Sequence, residues 1–454
     1  MRTPANSSHP LLWIPTNYFT MALAYTVLTS ASAIMFKNIG MSNGQAAAYA
    51  SGLILAYTIK PVFAPIVEMY RTKKFFVLCA QVLVALGFAG IGLAMELPNY
   101  MVLLLPLFYA LSFISATQDI ASDGVYVTSL DTRKQSLYCG VQSLAWNIGP
   151  IVGSGGLVYL TGFLHTNVFH HDPKVFGPEW IDAWRIVFFI VAGITVLMAL
   201  WHSRVMPDGA RVENAPRTPG EAGAILWDSF VTFFQKKDVW KMVAFAFLYR
   251  TSVGLLDKIG PFFMVDSAAK GGLGMSNEGL GLVYGTYGLV AVLVGSLLGG
   301  MFVARRGLKR SLLILCFTLN IPNLTFLAMA YFLPTSVLTI TAGVVVEKFF
   351  YGFGLVGYMI YLMQQLAPGK YTTTHYAFGT GLMGLCNMLT GTVSGYLQEY
   401  LGYVGFFTFV MIATIPSFIA AFIAPFNHSD GVSDADTKEA IGDEPPGAKP
   451  HHVA

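Results

Sequence analysis

Eight ionisable residues lie inside long apolar runs of this chain: Lys60, Arg250, Lys258 and Lys348 against Asp119, Asp123, Asp257 and Glu347. Asp119 and Asp123 stand at i and i+4, so a helix presents both carboxylates on one face. Lys60 precedes a polar break at Tyr70, and Asp119 a break near Leu130, by similar lengths of chain. At the helical rise this gives both a common depth of about 15 Å. Two carboxylates facing one lysine can exchange a proton for an ion pair, because like charge disfavours ionisation of both acids while the ammonium favours it. Asp119, Asp123 and Lys60 are therefore the candidate proton-handling set; a static brace between two helices is the alternative.

A second set comprises Arg250, Asp257 and Lys258 in one apolar run and Glu347 and Lys348 in another. On a regular helix Arg250 and Asp257 share a face while Lys258 is turned by about 100°, so the three cannot all face one cavity. An arginine fork suits a carboxylate, phosphate or lactyl group, so Arg250 and Glu347 are expected to face a solute. Pairing between helices without solute contact is the alternative. Eight unpaired charges would cost on the order of 20 kcal/mol in hydrocarbon, more than the roughly 5–15 kcal/mol that holds a typical fold together. They must be paired, hydrated or neutralised.

Tyr18, Tyr25 and Thr29 follow helical spacing in the first apolar run and predict one wet face there. Nothing points to a catalytic residue, a metal ligand set or a cofactor. Cys79, Cys139, Cys316 and Cys386 all fall in apolar runs, where cysteine packs as a small apolar residue. His375 stands near a predicted helix start and reads as interfacial. Gly271, Gly272 and Gly274 follow no strand and read as a turn, not a phosphate loop.

The elements that must position these groups follow from composition. Of 454 residues 55% are hydrophobic and 11% charged, and the mean hydropathy is +0.59. That excludes an ordinary soluble protein. Apolar runs of about 20 residues recur along the chain, long enough to cross hydrocarbon as helices and too long for barrel strands. Polar and Pro/Gly breaks predict an all-α polytopic membrane protein of twelve helices, starting near residues 12, 42, 75, 100, 134, 184, 239, 276, 309, 335, 371 and 403. The organisation is a six-helix bundle over 1–202, a linker with an interfacial helix over 203–237, a second six-helix bundle over 238–426, and a disordered tail over 427–454. Placing both termini in the cytoplasm puts 19 Lys and Arg inside and only Lys37, Lys174, Arg185 and Lys270 outside. The formal charge of +3 is too small to suggest a nucleic-acid partner.

The halves also resemble each other. A shift of 240 residues lays Asn147 on Asn387, Ser154 on Ser394, Gly155 on Gly395 and Gly162 on Gly402. Basic loops follow the second and eighth helices: Glu68 and Arg71 in one, Arg305, Arg306 and Lys309 in the other. Parallel repeats of six helices with such loops resemble the major facilitator superfamily. In that family such loops latch helix ends as the cavity alternates, so these five residues are the expected gating set.

A closer likeness is carried by Lys60 with Pro65, Glu68 and Tyr70, by Ser115-Ala-Thr-Gln118-Asp119-Ile120 with Asp123, and by Leu248-Tyr249-Arg250. These resemble the AmpG-type muropeptide permeases and the related acetyl-coenzyme A transporters. The resemblance implies a proton-linked importer of cell-wall sugars bearing anhydromuramic acid and short peptides in a bacterial inner membrane; the expected partners are that solute, protons and the lipid bilayer, and a monomer is expected. Gln118 and Lys348 join Arg250, Glu347, Tyr18 and Tyr25 as expected solute contacts. Glu68 stands where the family pattern has aspartate, and Gly124-Val125 departs from it too, so the solute stays open. A siderophore or oligosaccharide carrier of the same fold, or a transporter-derived sensor, are the alternatives. An integral membrane transferase is disfavoured, because no acidic or histidine cluster at a water interface accompanies the two aspartates.

Overall fold

The computed structural model describes residues 9–60, 62, 63, 67, 71–130, 132–209 and 218–428. Pro65, Glu68 and Tyr70 of the first loop motif, and the tail beyond His428, lie outside the described residues. No strand occurs among the described residues. Ten of the helices there are long and apolar enough to cross a membrane. Thr374–Ile423 is too long to be one of the spans, since 50 residues of helix would extend about 75 Å. Gly402, at φ 67° and ψ 174°, divides it, in a left-handed conformation that glycine tolerates. Asn43–Gly52 and Leu55–Thr58 supply the remaining span.

The twelve spans are α1 (Pro10–Asn38), α2 (43–58), α3 (Lys73–Ala94), α4 (Tyr100–Ser129), α5 (132–168), α6 (Pro178–Val205), α7 (Val239–Val265), α8 (Asn277–Arg306), α9 (Leu308–Phe332), α10 (Val337–Leu366), α11 (372–401) and α12 (403–423). Between the halves runs a linker helix, Pro219–Phe234, capped by the Thr218 hydroxyl, which accepts from Glu221 N at 3.2 Å. It docks on the second half. The Asp228 carboxylate accepts from Lys370 Nζ at 2.8 Å and Tyr371 hydroxyl at 2.6 Å, bonds that hold its carboxyl below the usual range. Lys236 Nζ donates to the Leu366 and Pro368 carbonyls at 2.5 and 2.7 Å, and His375 Nε2 lies 3.0 Å from the Ser229 carbonyl.

The two bundles meet through glycine. A Cβ on Gly155 of α5 would lie 2.6 Å from Thr286 Oγ1 and 3.0 Å from the Gly285 carbonyl of α8, and one on Gly285 would strike the α5 backbone. On the other side of the molecule, a Cβ on Gly395 of α11 would strike the Asn43 carbonyl of α2, and one on Gly44 the Tyr396 ring. The 240-residue shift that relates Gly155 to Gly395 therefore reproduces the contact itself. Where α5 and α8 touch, both backbones widen into π-helical turns, Ile151–Leu157 and Gly281–Gly288.

Beside these contacts a buried polar lock ties the halves together at the end opposite the linker. Lys37 is not a loop residue of that side, as the charge count placed it, but stands in the last turn of α1. Its ammonium pairs with Asp266 at 2.7 Å, with side-chain exposures of 4% and 1%. Asn43 Nδ2 donates to Asp266 at 3.0 Å and Gln398 at 2.6 Å, Tyr403 hydroxyl donates to Asp266 at 2.6 Å, and Asn277 of α8 bonds Asn38 of α1 at 2.7 Å.

Two spans are irregular where chemistry is expected. α1 carries a π-helical turn at Val27–Ala31. α7 breaks between Val239–Leu248 and Thr251–Val265, with Arg250 at φ −110° and ψ 10°.

Gly285→Val should destabilise the protein by about 1–3 kcal/mol through overpacking, lowering its melting temperature in detergent, whereas Gly300→Ala, where a Cβ meets nothing within 4 Å, should not. Asp266→Asn strands the Lys37 ammonium and should disfavour the closed form by about 3–5 kcal/mol. A cysteine at Ser30, in a background without native cysteines, should then react faster with an impermeant maleimide added from the lock side.

Candidate functional site

The first cluster lies within the N-terminal bundle. Lys60, just beyond the second helical piece of α2, places Nζ 2.5 Å from Asp119 Oδ2 of α4; their side chains are 31% and 8% exposed. One turn on, Asp123 Oδ1 accepts from the Tyr18 hydroxyl of α1 at 2.7 Å, and the Tyr126 ring packs edge-on against Tyr18 at 5.9 Å. Ser122 donates to Asn17 Oδ1 at 3.1 Å. The i, i+4 spacing on α4 does what a regular helix requires, so three spans converge on two acids and one base. Gln118 is buried here, and neither of its amide atoms has a hydrogen-bond partner among the described residues. Tyr18 thus sits with the acids, away from the central cavity.

That cavity, of about 280 Å³, opens between the bundles. Its walls include Tyr25, Thr26 and Ser30 of α1, Asp257 and Lys258 of α7, Tyr284 of α8, and Lys348 and Tyr351 of α10. Thr29 does not continue the wet face expected from Tyr18 and Tyr25. Its hydroxyl donates back to the Tyr25 carbonyl at 2.8 Å, because the π-helical turn shifts the phase and brings Thr26 and Ser30 to the cavity instead. Tyr25 also packs edge-on against Tyr57 of α2 at 4.8 Å, so a single ring stands between the cavity and the helix that leads to Lys60.

The C-terminal charges are arranged differently from the regular-helix expectation. Asp257 and Lys258 both line the cavity, while Arg250 does not share their wall, because the break at Arg250 uncouples the two halves of α7. Arg250 is buried and donates from Nη2 to the Tyr351 hydroxyl at 2.9 Å, one side chain behind the cavity surface. In place of Glu347, its neighbour Lys348 forms the wall. Glu347 is buried beside it, with Oε2 3.3 Å from Lys348 Nζ, and its expected approach to Lys258 or Arg250 is not seen. Lys348 also lies 4.4 Å from the Tyr284 ring centre and 4.0 Å from Asp257 Oδ1. Lys258 crosses between the bundles, donating to the Thr29 carbonyl of α1 at 2.5 Å.

Glu68 lies outside the described residues, and none of the other four residues read as gates lines the cavity. Arg71 has φ 49° and sets its guanidinium 5.8 Å from the Phe75 ring. Arg305 and Arg306 end α8, Arg306 over Phe302 at 5.8 Å, Gly307 makes the turn at φ 79°, and Lys309 opens α9. No group of three or more metal-binding side chains occurs among the described residues. Sequence reasoning passed over Asp257, Lys258, Tyr284 and Tyr351 as wall residues; the break in α7 carries no proline or glycine that would have announced it.

The sequence model of the Major Facilitator Superfamily matches residues 16–395. Among curated proteins the chain is 23% identical over 383 residues to a putative transporter AmpG 4 of Rickettsia felis, covering 80% of this chain and 84% of that one. It is 23% identical over 371 residues to the anhydromuropeptide permease of Escherichia coli K12, covering 80% and 69%. Among solved structures, a bacterial homologue of the human lysosomal transporter Spinster, inward-facing and unoccupied, superposes with a TM-score of 0.67 at 16% identity over 91% of this chain and 96% of that one. A D-xylose–proton symporter superposes with a TM-score of 0.66 at 14% identity, covering 92% and 97%. With its fold of two six-helix bundles, its central charged cavity and a family match over most of its length, the chain belongs to the Major Facilitator Superfamily, whose members here are transporters and permeases and not enzymes.

Proposed function

We propose that this transporter imports an amphiphilic anionic solute of the muropeptide type together with protons, by alternating access, across a bacterial inner membrane with both termini in the cytoplasm. The observation that carries this reading is an imbalance of formal charge between the halves. Lys60 with Asp119 and Asp123 sums to −1, and Arg250, Lys258 and Lys348 against Asp257 and Glu347 sum to +1. One proton on the first cluster makes it neutral, and one net negative charge on the solute does the same for the second. Each neutralisation removes a mid-membrane charge worth about 2.5–3.5 kcal/mol on insertion scales. A proton and an anion entering together therefore relieve both halves at once.

The proton's place is the ion pair. Protonating Asp119 releases Lys60, whose charge then turns to Asp123, itself held by the Tyr18 hydroxyl. That exchange draws α2 and α4 into a different register while the rest of the bundle stays packed. The cavity of about 280 Å³ falls just below the range of ligand pockets, roughly 300–1,000 Å³. A disaccharide peptide enters only when the bundles part, which means releasing either the Lys37–Asp266 lock or the opposite end. The names of the AmpG 4 and anhydromuropeptide permease relatives support the solute class, and the residues Arg71, Arg305, Arg306 and Lys309 take the latch role at the linker side.

The test is uptake of a radiolabelled anhydromuropeptide into proteoliposomes. An inward-directed proton gradient should accelerate uptake by the unmodified protein. Asp119→Asn should abolish that acceleration while leaving solute counterflow, and gradient-driven uptake undiminished in this variant would refute the coupling role.

A further inference from the structure

Of the charges in the central cavity, the two lysines are already satisfied by the protein. Lys258 donates to the Thr29 carbonyl at 2.5 Å, and Lys348 lies between Glu347 Oε2 at 3.3 Å and the rings of Tyr284 and Tyr351 at 4.4 and 5.3 Å. Asp257 is not. Its side chain is 52% exposed while lining a cavity deep in the molecule, and Lys348, its one ion-pair partner among the described residues, stands at 4.0 Å, beyond hydrogen-bond range. The accessible charge of the cavity is thus a carboxylate, although the cluster around it is positive in sum.

The surroundings of this carboxylate favour a particular partner. Tyr25, Tyr284 and Tyr351 contribute ring surface to the same cavity. An aromatic face attracts a cation within about 6 Å of its centre, more strongly where water is scarce. A carboxylate beside tyrosine rings in a confined space is a receptor for an ammonium, and the net positive charge of the surrounding cluster favours an anionic group elsewhere on the same molecule. The bidentate geometry that Arg250 would offer a carboxylate is already partly engaged with Tyr351 behind the wall.

We propose that Asp257 receives a primary ammonium of the solute, so that the transported molecule carries a free amine as well as its anionic groups. This rests on the muropeptide-type reading and narrows it. The sugars of such a solute hold their nitrogen as acetamide, so the recognised amine belongs to the peptide, on a diamino acid side chain.

Two ligands that differ only in that charge test it: 1,6-anhydro-N-acetylmuramyl-L-alanyl-γ-D-glutamyl-L-lysine, whose two carboxylates and one ammonium leave one net negative charge, and the same compound acetylated on the lysine Nε. Binding to the purified full-length protein is measured by calorimetry at pH 7. The unmodified protein should prefer the free amine by about tenfold or more, as expected for one desolvated charge contact. Asp257→Asn should abolish the preference and Asp257→Glu should retain it. Equal affinity for both ligands, no binding of the amine form, or a preference that survives Asp257→Asn would each overturn the proposal. The first comparison uses the unmodified protein and decides even where a variant does not accumulate. An amine preference without gradient-driven uptake would defeat the coupling reading alone, whereas gradient-driven uptake without the preference would defeat only the role of Asp257.

Discussion

Hydrocarbon cannot solvate a charge, and the way this protein meets that constraint decides which parts of it can move. Most of its buried charges find partners inside their own bundle: Lys60 with Asp119, Asp123 with Tyr18, Lys348 with Glu347, Arg250 with Tyr351. Those pairs travel with the bundle that holds them and are undisturbed when the halves rotate. The ones described that bridge the halves are few. Lys37 with Asp266 closes one end, and Lys258 on the Thr29 carbonyl holds the middle. A rocking motion that opens the lock end must also break the bonds of Asn43 to Asp266 and Gln398 and of Asn277 to Asn38, so the barrier to alternation at that end is concentrated in one cluster of polar bonds.

The bundle contacts obey the same economy. Where α5 meets α8 and α2 meets α11, glycine lets backbones touch, and contact of this kind gains dispersion energy without locking long side chains into one another. Surfaces built this way can part and rejoin without repacking. The two π-helical turns at the α5–α8 crossing fit this arrangement, since a widened turn presents backbone where a regular one presents side chains. The 240-residue shift that lays Gly155 on Gly395 brings Gly44 within one residue of Gly285, so both interfaces are made by the same device, a glycine from each helix.

Much of this was legible in the sequence. The starts of the twelve helices follow from apolar runs ended by polar breaks, because in a membrane the length of an element is fixed by the thickness it must cross. The pairing of Lys60 with Asp119 follows from depth alone, and the i, i+4 aspartates need only a regular helix. What was not legible lies where helices cease to be regular. The break at Arg250 takes that residue off the wall that Asp257 and Lys258 line, against the straight-helix expectation that Arg250 and Asp257 share a face, and the π-helical turn in α1 replaces Thr29 with Thr26 and Ser30. Neither site has a proline or a run of glycines. The irregularity is imposed by packing partners distant in sequence. Lys37 was misread for a related reason: by composition it is one lysine near a helix end, and only the far half of the chain supplies the Asp266 that buries it.

The linker helix has a further consequence. Bound through Asp228, Ser229 and Lys236 to residues 366–375, it is a part of the second half that happens to precede it in sequence. The covalent joint between the two bodies is thereby shortened to residues 206–218. A polypeptide severed within that stretch and co-expressed as two fragments would retain every tertiary contact described here, so the protein is suited to reconstitution from separately encoded halves.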